Sequence, residues 1–219
     1  YHTAYLKVHF LAEFTAANMS IALDDTDKLK VLFEDAVNLG LNFEPPNVNT
    51  GEYRFIPVAD KVVRYGLGAI KGTGQGAIEA IIQSRREGGP FKSLFDFCAR
   101  VDRSRINKRV VEALIKAGAF DELHAERSQM VASIGLAFEY ADTQAAHADQ
   151  GGLFDFGDSH AASTQEPDLV QGAPWSIKER LSLEKVALGF YLSGHLFDQS
   201  ADEVRQFAKR KIADLIDSR

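Results

Sequence analysis

The chain has 219 residues, 45% of them hydrophobic and 26% charged, with a formal net charge of −6 at pH 7. This composition excludes a disordered chain, the length permits one or two domains with a sizeable core, and the negative charge argues against a general polyanion binder. No apolar run reaches the ~18 residues of a membrane span and no signal peptide is visible, so we expect a cytoplasmic protein without a membrane partner. The first residue is Tyr1 and not Met, which indicates a segment of something longer.

The N-terminal part of the chain is predicted to be helical. Apolar residues recur at helical spacing through residues 1–20, namely Tyr5, Leu6, Phe10, Leu11, Phe14 and Ala17. Asp24 or Asp25 can cap a second helix, because an aspartate oxygen accepts a hydrogen bond from a free amide of the first turn. The apolar face of that helix is Leu29, Leu32, Phe33, Ala36 and Val37, and Gly40 stands where a left-handed C-terminal cap is expected.

A loop and a β-hairpin are predicted to follow these helices. Residues 44–49 contain two adjacent prolines, which forbid a helix and favour an extended loop. Residues 53–58 and 61–67 are rich in β-forming side chains and flank the turn residues Ala59 and Asp60. This pattern predicts a hairpin.

The middle of the chain predicts two helical units in tandem, residues 67–86 and 93–117. The helix of the first unit, residues 75–86, follows a glycine-rich turn and is ended by Gly88, Gly89 and Pro90; its apolar face is Ala77, Ile78, Ile81 and Ile82. In the second unit the cap signals are Ser93, with Asp96 in the capping-box position, then Asn107 and the helix stop Gly118. The two units would share a core that neither forms alone, and Cys98 is predicted to be buried in it.

The C-terminal third alternates predicted helices with a linker. A long helix is expected from Ser128 to Ala148, and residues 157–174 have the composition of a flexible linker. A further helix follows Trp175, contains Leu181, Leu183, Val186 and Leu188, and is predicted to end at residues 193–195. Residues 201–209 predict a last helix, and residues 211–216 begin an element that is not complete.

The glycine hairpin, residues 72–74, is the most informative feature of the sequence. Gly72 and Gly74 permit positive φ and leave no side chain to block another molecule. The helix beginning near Gln75 turns its free N–H groups and the positive end of its dipole toward the same opening. Together they predict an anion site, and the anion suggested by the flanking pattern is a nucleic-acid phosphate.

Two other interpretations of this hairpin are a dinucleotide site and a purely structural turn. The glycine spacing loosely matches a dinucleotide fingerprint, but that site needs flanking parallel strands, and the following segments are helical. A purely structural turn remains open. Charge favours the DNA interpretation only modestly: residues 60–127 carry 13 Lys/Arg and 9 Asp/Glu, whereas the remainder carries 12 and 22. The side chains expected near phosphate are Lys71, Gln75, Lys108 and Arg109.

A short peptide after the long helix has the pattern of a docking motif. Gln150, two glycines, Leu153 and Phe154 suit a peptide whose two apolar side chains enter a pocket on another protein. Ordering such a flexible segment is costly, so the peptide alone should bind weakly and gain from tethering to a DNA-bound body. A loop that packs on its own domain is the alternative.

Catalytic residues are not recognisable in the sequence. Asp24, Asp25 and Asp27 are close together, but acids are favourable at a helix N-terminus for electrostatic reasons. No acid pair is typical of the strand-borne metal ligands of phosphoryl transfer, and the six histidines show no ligand spacing. We therefore expect neither an active site nor a metal or cofactor in this chain.

Six motifs, in order along nearly the whole chain, resemble the alpha subunit of bacterial DNA polymerase III, the family C replicative polymerases. They occupy residues 4–14, 46–49, 65–74, 88–97, 113–121 and 188–195. The resemblance implies a mostly α segment: the end of the polymerase fingers (1–60), a tandem helix-hairpin-helix DNA-binding domain (61–127), a helix ending in a sliding-clamp peptide (128–156), the linker (157–174), and a helical lead-in to an OB-fold (175–219).

The same resemblance implies the function of the segment. Lys71, Gly72, Thr73, Gly74 and Gln75 would touch the backbone of double-stranded DNA, and Gln150, Leu153 and Phe154 would anchor the sliding clamp, the beta subunit. Clamp peptides carry larger residues where this chain has two glycines. The whole polymerase would be a Mg²⁺-dependent nucleotidyltransferase that meets other holoenzyme subunits, but its catalytic aspartates and full OB-fold are not in this chain. A helical protein-interaction scaffold and a nuclease are the rival interpretations.

Overall fold

The computed structural model describes residues 1–151, 165–194 and 196, with the backbone alone for residues 148–151. The described residues are mostly helical with one small sheet, as predicted. The helices are α1 (His2–His9), α2 (Leu11–Ile21), α3 (Thr26–Asn38), α4 (Gln75–Gly88), α5 (Leu94–Arg100), α6 (Lys108–Lys116), α7 (Arg127–Gly151) and α8 (Ile177–Leu188). The strands are β1 (Asn42–Glu44), β2 (Ile56–Ala59) and β3 (Val62–Arg64). None of the described helices is long and apolar enough to cross a membrane.

The N-terminal helix is interrupted, so the single helix predicted over residues 1–20 is wrong. Phe10 has φ −138° and ψ 54°, outside the helical region, and separates α1 from α2. The buried residues of α2 are Ala12, Thr15, Ala16 and Met19. The larger side chains of Tyr5, Leu6 and Phe10 remain about half exposed, because α2 packs on the interior through mostly small residues and no residue of α1 is buried.

The start and the end of α3 confirm the predicted caps. Asp25 Oδ1 accepts a hydrogen bond of 3.0 Å from the amide of Lys28, and Gly40 has φ +87°. Leu29 and Ala36 are buried, but Val37 is 46% exposed, so its predicted place on the apolar face is wrong.

The predicted β-hairpin is present, but its strands are shorter and it belongs to a three-stranded sheet. β3 lies in the centre, antiparallel to β2 and parallel to β1, which the sequence did not predict. The pairing of β1 brings Glu44 against Arg64, whose Nε lies 2.6 Å from the carboxylate. Three residues ahead of a proline pair are too few to give an alternating pattern, so β1 has no recognisable sequence signal.

The tandem units share one core, as predicted. Phe97 is at its centre, with the rings of Phe91 and Phe120 each 4.9 Å away in edge-to-face geometry. α4 contributes Ala77, Ile78, Ile81 and Ile82, and α6 contributes Val110, Val111, Leu114 and Ile115. Cys98 is buried beside Phe97, and burial raises the pKa of its thiol to about 12.

The caps of the second unit follow the predicted residues with one change of partner. Ser93 Oγ accepts from the amide of Asp96 at 2.9 Å, and Asn107 Oδ1 accepts from the amide of Val110 at 3.0 Å. The capping-box prediction for Asp96 is wrong in detail, since its carboxylate accepts from the amide of Lys92 and from Arg100. A carboxylate one methylene shorter than that of glutamate bonds the neighbouring amide instead.

The C-terminal segment packs back against the tandem core through α8. Ser176 and Glu179 form a capping box at its start. The helix ends at Leu188, with Gly189 in the left-handed conformation (φ +92°), so the predicted end at residues 193–195 is wrong. Val186 is 66% exposed, whereas Glu184 is buried. Gly189 therefore ends α8 five residues before the predicted stop at Gly194.

Three predicted features of this region lie wholly or partly outside the described residues. Residues 157–164 of the linker, the helix over 201–209 and the element at 211–216 are not described. The described remainder of the linker, residues 165–174, contains neither helix nor strand. Leu169 nevertheless packs on the core, and the amide of Val170 donates to Ser133 Oγ at 2.8 Å.

Candidate nucleic-acid interface

The glycine hairpin leads from a 3₁₀ turn, Leu67–Ala69, into α4. Gly72 has φ +84°, a conformation that favours glycine, whereas Gly74 has φ −80° and ψ 155°, which any residue adopts. A Cβ atom built on either glycine would meet no other atom within 4 Å. The outer side of the hairpin is therefore open to a second molecule.

Thr73 fixes the hairpin from inside. Its hydroxyl donates to the carbonyl oxygen of Ile70 at 2.7 Å, with that of Leu67 at 3.2 Å. Because the hydroxyl proton is directed inward, the Thr73 side chain shapes the turn and does not donate to an outside ligand.

Several amides of the hairpin and of the start of α4 have no hydrogen-bond acceptor among the described residues. The amides of Ala77 and Ile78 both donate to the carbonyl of Gly74, at 3.1 and 3.2 Å. Among the described residues, no group accepts a hydrogen bond from the amides of Gly72, Gly74, Gln75 or Gly76. Free amides at the positive end of a 14-residue helix can bind an anion without any side chain.

A basic cleft lies beside Gly72. This cavity of about 300 Å³, the Arg109 cleft, is lined by Lys71, Gly72, Arg109, Glu112, Ala113, Lys116, Val186 and Ala187. Lys116 and Glu112 neutralise each other at 2.6 Å. Lys71 and Arg109 have no ion-pair partner in the described part of the chain, so the cleft has a positive charge next to the free amides.

The predicted side chains do not all reach this place. Arg109 lines the cleft, but the amine of Lys108 lies over α7, where a Cβ on Gly135 would be 3.8 Å from its Nζ. Gln75 Nε2 donates to Glu79 at 2.7 Å and stays on the surface of α4. Lys71 lies near the end of α8, since a Cβ on Gly189 would be 3.5 Å from its Nζ.

Arg105 is a basic residue near the hairpin that sequence reasoning missed. It belongs to the loop between α5 and α6, is exposed, and lies near α4, where a Cβ on Gly76 would be 3.6 Å from its Nη1. In the same loop, hydrogen bonds from Ser104 and the charge of Arg105 lower the pKa of Asp102. No sequence motif marks Arg105, because only the packing of the two units brings it to the start of α4.

The remaining predicted sites are only partly visible. The backbone of Gln150 belongs to α7, but its side chain is not among the described parts of the chain. Leu153 and Phe154 lie wholly outside the described residues. In the described part of the chain, no group of three His, Cys, Asp or Glu residues is arranged to hold a metal ion.

Comparison with known proteins supports both the hairpin and the resemblance. Residues 40–130 match the family model of the helix-hairpin-helix motif. The chain is 47% identical over 215 residues to the DNA polymerase III subunit alpha of Neisseria meningitidis serogroup A, which covers 98% of this chain. It is 42% identical to the subunit of Pseudomonas aeruginosa over 98% of this chain, and 40% identical to that of Escherichia coli K12 over 94%. The chain spans only 18% to 20% of the length of these relatives.

Proposed function

Because nearly the whole chain is similar to one segment of DNA polymerase III alpha subunits, we propose that it binds the backbone of double-stranded DNA without reading base sequence. The observation that carries the proposal is the set of amides at Gly72, Gly74, Gln75 and Gly76 without an acceptor among the described residues, together with the open space beside Gly72 and Gly74. Main-chain amides bond phosphate oxygens equally well at any sequence.

The Arg109 cleft supports the same function. A phosphate on the amides would have the guanidinium of Arg109 and the amine of Lys71 beside it, which adds charge-assisted contacts. Residues outside 60–127 carry 12 Lys/Arg and 22 Asp/Glu, so charge repulsion there would favour contact of DNA with the segment 60–127.

In the whole polymerase, this segment would be non-catalytic. For the longer protein we propose domain boundaries at residues 60, 127, 156 and 174, with an OB-fold after this segment. We also propose that the longer protein contacts other holoenzyme subunits and carries out Mg²⁺-dependent nucleotidyl transfer. The chain itself should leave labelled duplex uncut in the presence of Mg²⁺. Cleavage would favour the nuclease interpretation.

Replacement of Gly74 by leucine tests DNA binding directly. Its backbone conformation accepts a side chain and the space is open, so Gly74→Leu should fold normally and cover the amides. Gly172→Leu is the matched control, because Gly172 is also exposed with no atom within 4 Å of a built Cβ. Duplex affinity would be measured by fluorescence anisotropy over a salt series, with circular dichroism as the folding control.

We expect Gly74→Leu to weaken duplex binding at least about tenfold and Gly172→Leu to leave it unchanged. Equal binding by both variants would contradict the proposal. If the native chain also showed no salt-dependent binding to duplex, the rival interpretation, a helical protein-interaction scaffold without DNA contact, would be correct.

We also propose that Gln150, Leu153 and Phe154 bind the sliding clamp. The proposal is supported by their sequence pattern and by the similarity to the polymerase subunit along the whole region. Leu153→Ala combined with Phe154→Ala should remove binding to purified clamp, because both apolar anchors are lost, while duplex affinity stays the same. Clamp binding at native strength in the double variant would refute this assignment.

A further inference from the structure

A hydrogen bond joins Lys71, the residue before the glycine hairpin, to the C-terminal part of the described chain. The amide of Lys71 donates to the carbonyl oxygen of Ala187, in the last turn of α8, at 2.8 Å. The Thr73 hydroxyl stabilises the turn through a bond within its own unit. The bond from Lys71 adds a second stabilising contact, to a different helix. The position of α8 therefore bears on the conformation of the residues that precede the free amides.

α8 is held by a buried carboxylate. Glu184 is 1% exposed in the middle of the inner face, where an unpaired charge would be strongly unfavourable. Its Oε1 accepts from the amides of Leu192 and Ser193 at 2.9 and 2.8 Å, and its Oε2 accepts from Ser193 Oγ at 2.7 Å. These bonds fold residues 189–193 back across the helix that bears Glu184.

The same carboxylate faces the tandem units through Arg127. Arg127 Nη1 lies 3.5 Å from Glu184 Oε2, and the guanidinium also donates to Asp121 at 2.7 and 2.5 Å and to the carbonyl of Lys116 at 3.0 Å. Burial alone would lower the pKa of Arg127, but the bonds and charges of Asp121 and Glu184 outweigh it and raise the pKa. Arg127 is thus a permanent cation that ties α8 to the end of α6.

The folded-back loop also packs on α3 and on Tyr65, the residue after β3. It places Phe190 against Phe33, with ring centroids 4.6 Å apart, and near Tyr65 at 6.3 Å. The Tyr65 hydroxyl is buried without a hydrogen-bond partner among the described residues. Burial first, and then the charge of Glu184, raise the pKa of Tyr65.

We propose that Glu184 is a positioning residue for DNA binding: by fixing α8 and its loop on the tandem units, it holds the Ala187 carbonyl over the Lys71 amide and so keeps the glycine hairpin in its binding conformation. This inference rests on the proposed DNA-binding function. Buried ion pairs contribute little to net stability but constrain geometry, and constraint of geometry is the role proposed here. Binding of duplex would depend on residues 184–193, which lie outside the matched motif at 40–130.

The sign of the mutational effect separates positioning from electrostatics. Glu184→Ala removes a negative charge, so charge alone predicts tighter binding to DNA, whereas loss of positioning predicts weaker binding. Glu179→Ala is the matched control on the same helix. It removes the same charge and breaks the capping box at the far end of α8. A merely structural weakening of α8 would appear in both variants.

Two quantities decide the inference in the full 219-residue chain. We expect Glu184→Ala to speed hydrogen exchange of the Lys71 amide about tenfold and to lower duplex affinity about three- to tenfold with an unchanged salt slope. Glu179→Ala should leave Lys71 exchange unchanged and affinity equal or higher. Unchanged Lys71 exchange or unchanged affinity in Glu184→Ala would overturn the inference.

A second variant covers the case in which Glu184→Ala does not fold. Ser193→Ala removes one bond to the carboxylate and leaves the ion pair in place, so the same two effects should appear, in smaller measure. Native values of both quantities in a folded Ser193→Ala would overturn the inference. A native chain that fails to bind duplex would refute the proposed function instead, and the exchange of Lys71 would still report whether Glu184 positions the hairpin.

Discussion

The two adjacent basic residues at the start of α6 should make unequal contributions to DNA binding. Arg109 lines the cleft beside Gly72, whereas the amine of Lys108 lies over α7 near Gly135. Arg109→Gln should therefore remove a phosphate contact, and Lys108→Gln, with the same change of charge, is its matched control. The sequence alone treats the two residues alike.

The expected size follows from counterion release. Each phosphate neutralised by a cation contributes about 0.9 to the slope of log affinity against log salt. Loss of one contact should reduce the slope by about 0.9, which corresponds to a roughly 3.5-fold smaller affinity loss between ~50 and ~200 mM salt. The affinity itself should fall about fivefold near 100 mM, as for a solvent-accessible charged contact of about 1 kcal/mol.

Fluorescence anisotropy with a duplex of mixed sequence measures both values. Arg109→Gln should change the slope and the affinity, and Lys108→Gln should change the slope by much less than one unit. Equal slopes in the two variants would show that the Arg109 cleft is not the place where phosphate binds, and a larger effect of Lys108→Gln would move the interface toward α7.

Further predictions concern stability and reactivity. Gly72→Ala should lower the unfolding free energy by about 1–2 kcal/mol, because only the positive φ at this position opposes a side chain. At Gly118, φ is +86° and an added Cβ would also clash with the Arg127 guanidinium, so Gly118→Ala should cost at least ~3 kcal/mol. Similar urea denaturation midpoints for the two variants would contradict this difference. Phe97→Ala should cost about 3–5 kcal/mol by the same assay, since it leaves a cavity between Phe91 and Phe120. Cys98 should resist a thiol reagent at pH 8 in the native chain, because burial holds its pKa near 12, and should react in urea; rapid native labelling would show an open core.

Local signals predicted the elements of the tandem units well. Asn107, Ser93 and Gly118 occupy the caps expected of them, since capping chemistry is decided within a few residues. The inner faces of α4 and α6 also match their apolar periodicity. Two predictions failed in other parts of the chain. β1 forms only because it pairs with β3, which is distant in sequence, and Phe10 interrupts a helix whose apolar spacing is correct on both sides.

The candidate site could be predicted only in its backbone. Glycine spacing identifies the hairpin, because φ +84° at Gly72 is a local requirement. The side chains around it depend on packing between units, which placed Arg109 beside Gly72 and Arg105 near α4 and turned Lys108 toward α7. Glu184 was missed for the same reason, since a glutamate between Leu183 and Lys185 gives no sign that its partners are Ser193 and Arg127.

The reliance on main-chain amides has a consequence for how tightly such a segment would hold DNA. A few amides and one or two cations give the modest affinity of nonspecific binding, with Kd of about 10⁻⁴–10⁻⁶ M at physiological salt. A tether that raises the local concentration to the millimolar range would keep a site of that strength mostly occupied, yet each contact would still break easily. Amides that ignore base identity would then permit the duplex to advance by one phosphate at a time, because every register offers the same acceptors. Under the proposed function, weak contacts at the hairpin and a separate clamp anchor at Leu153 and Phe154 would be complementary: the first would permit movement along DNA, and the second would prevent escape from it.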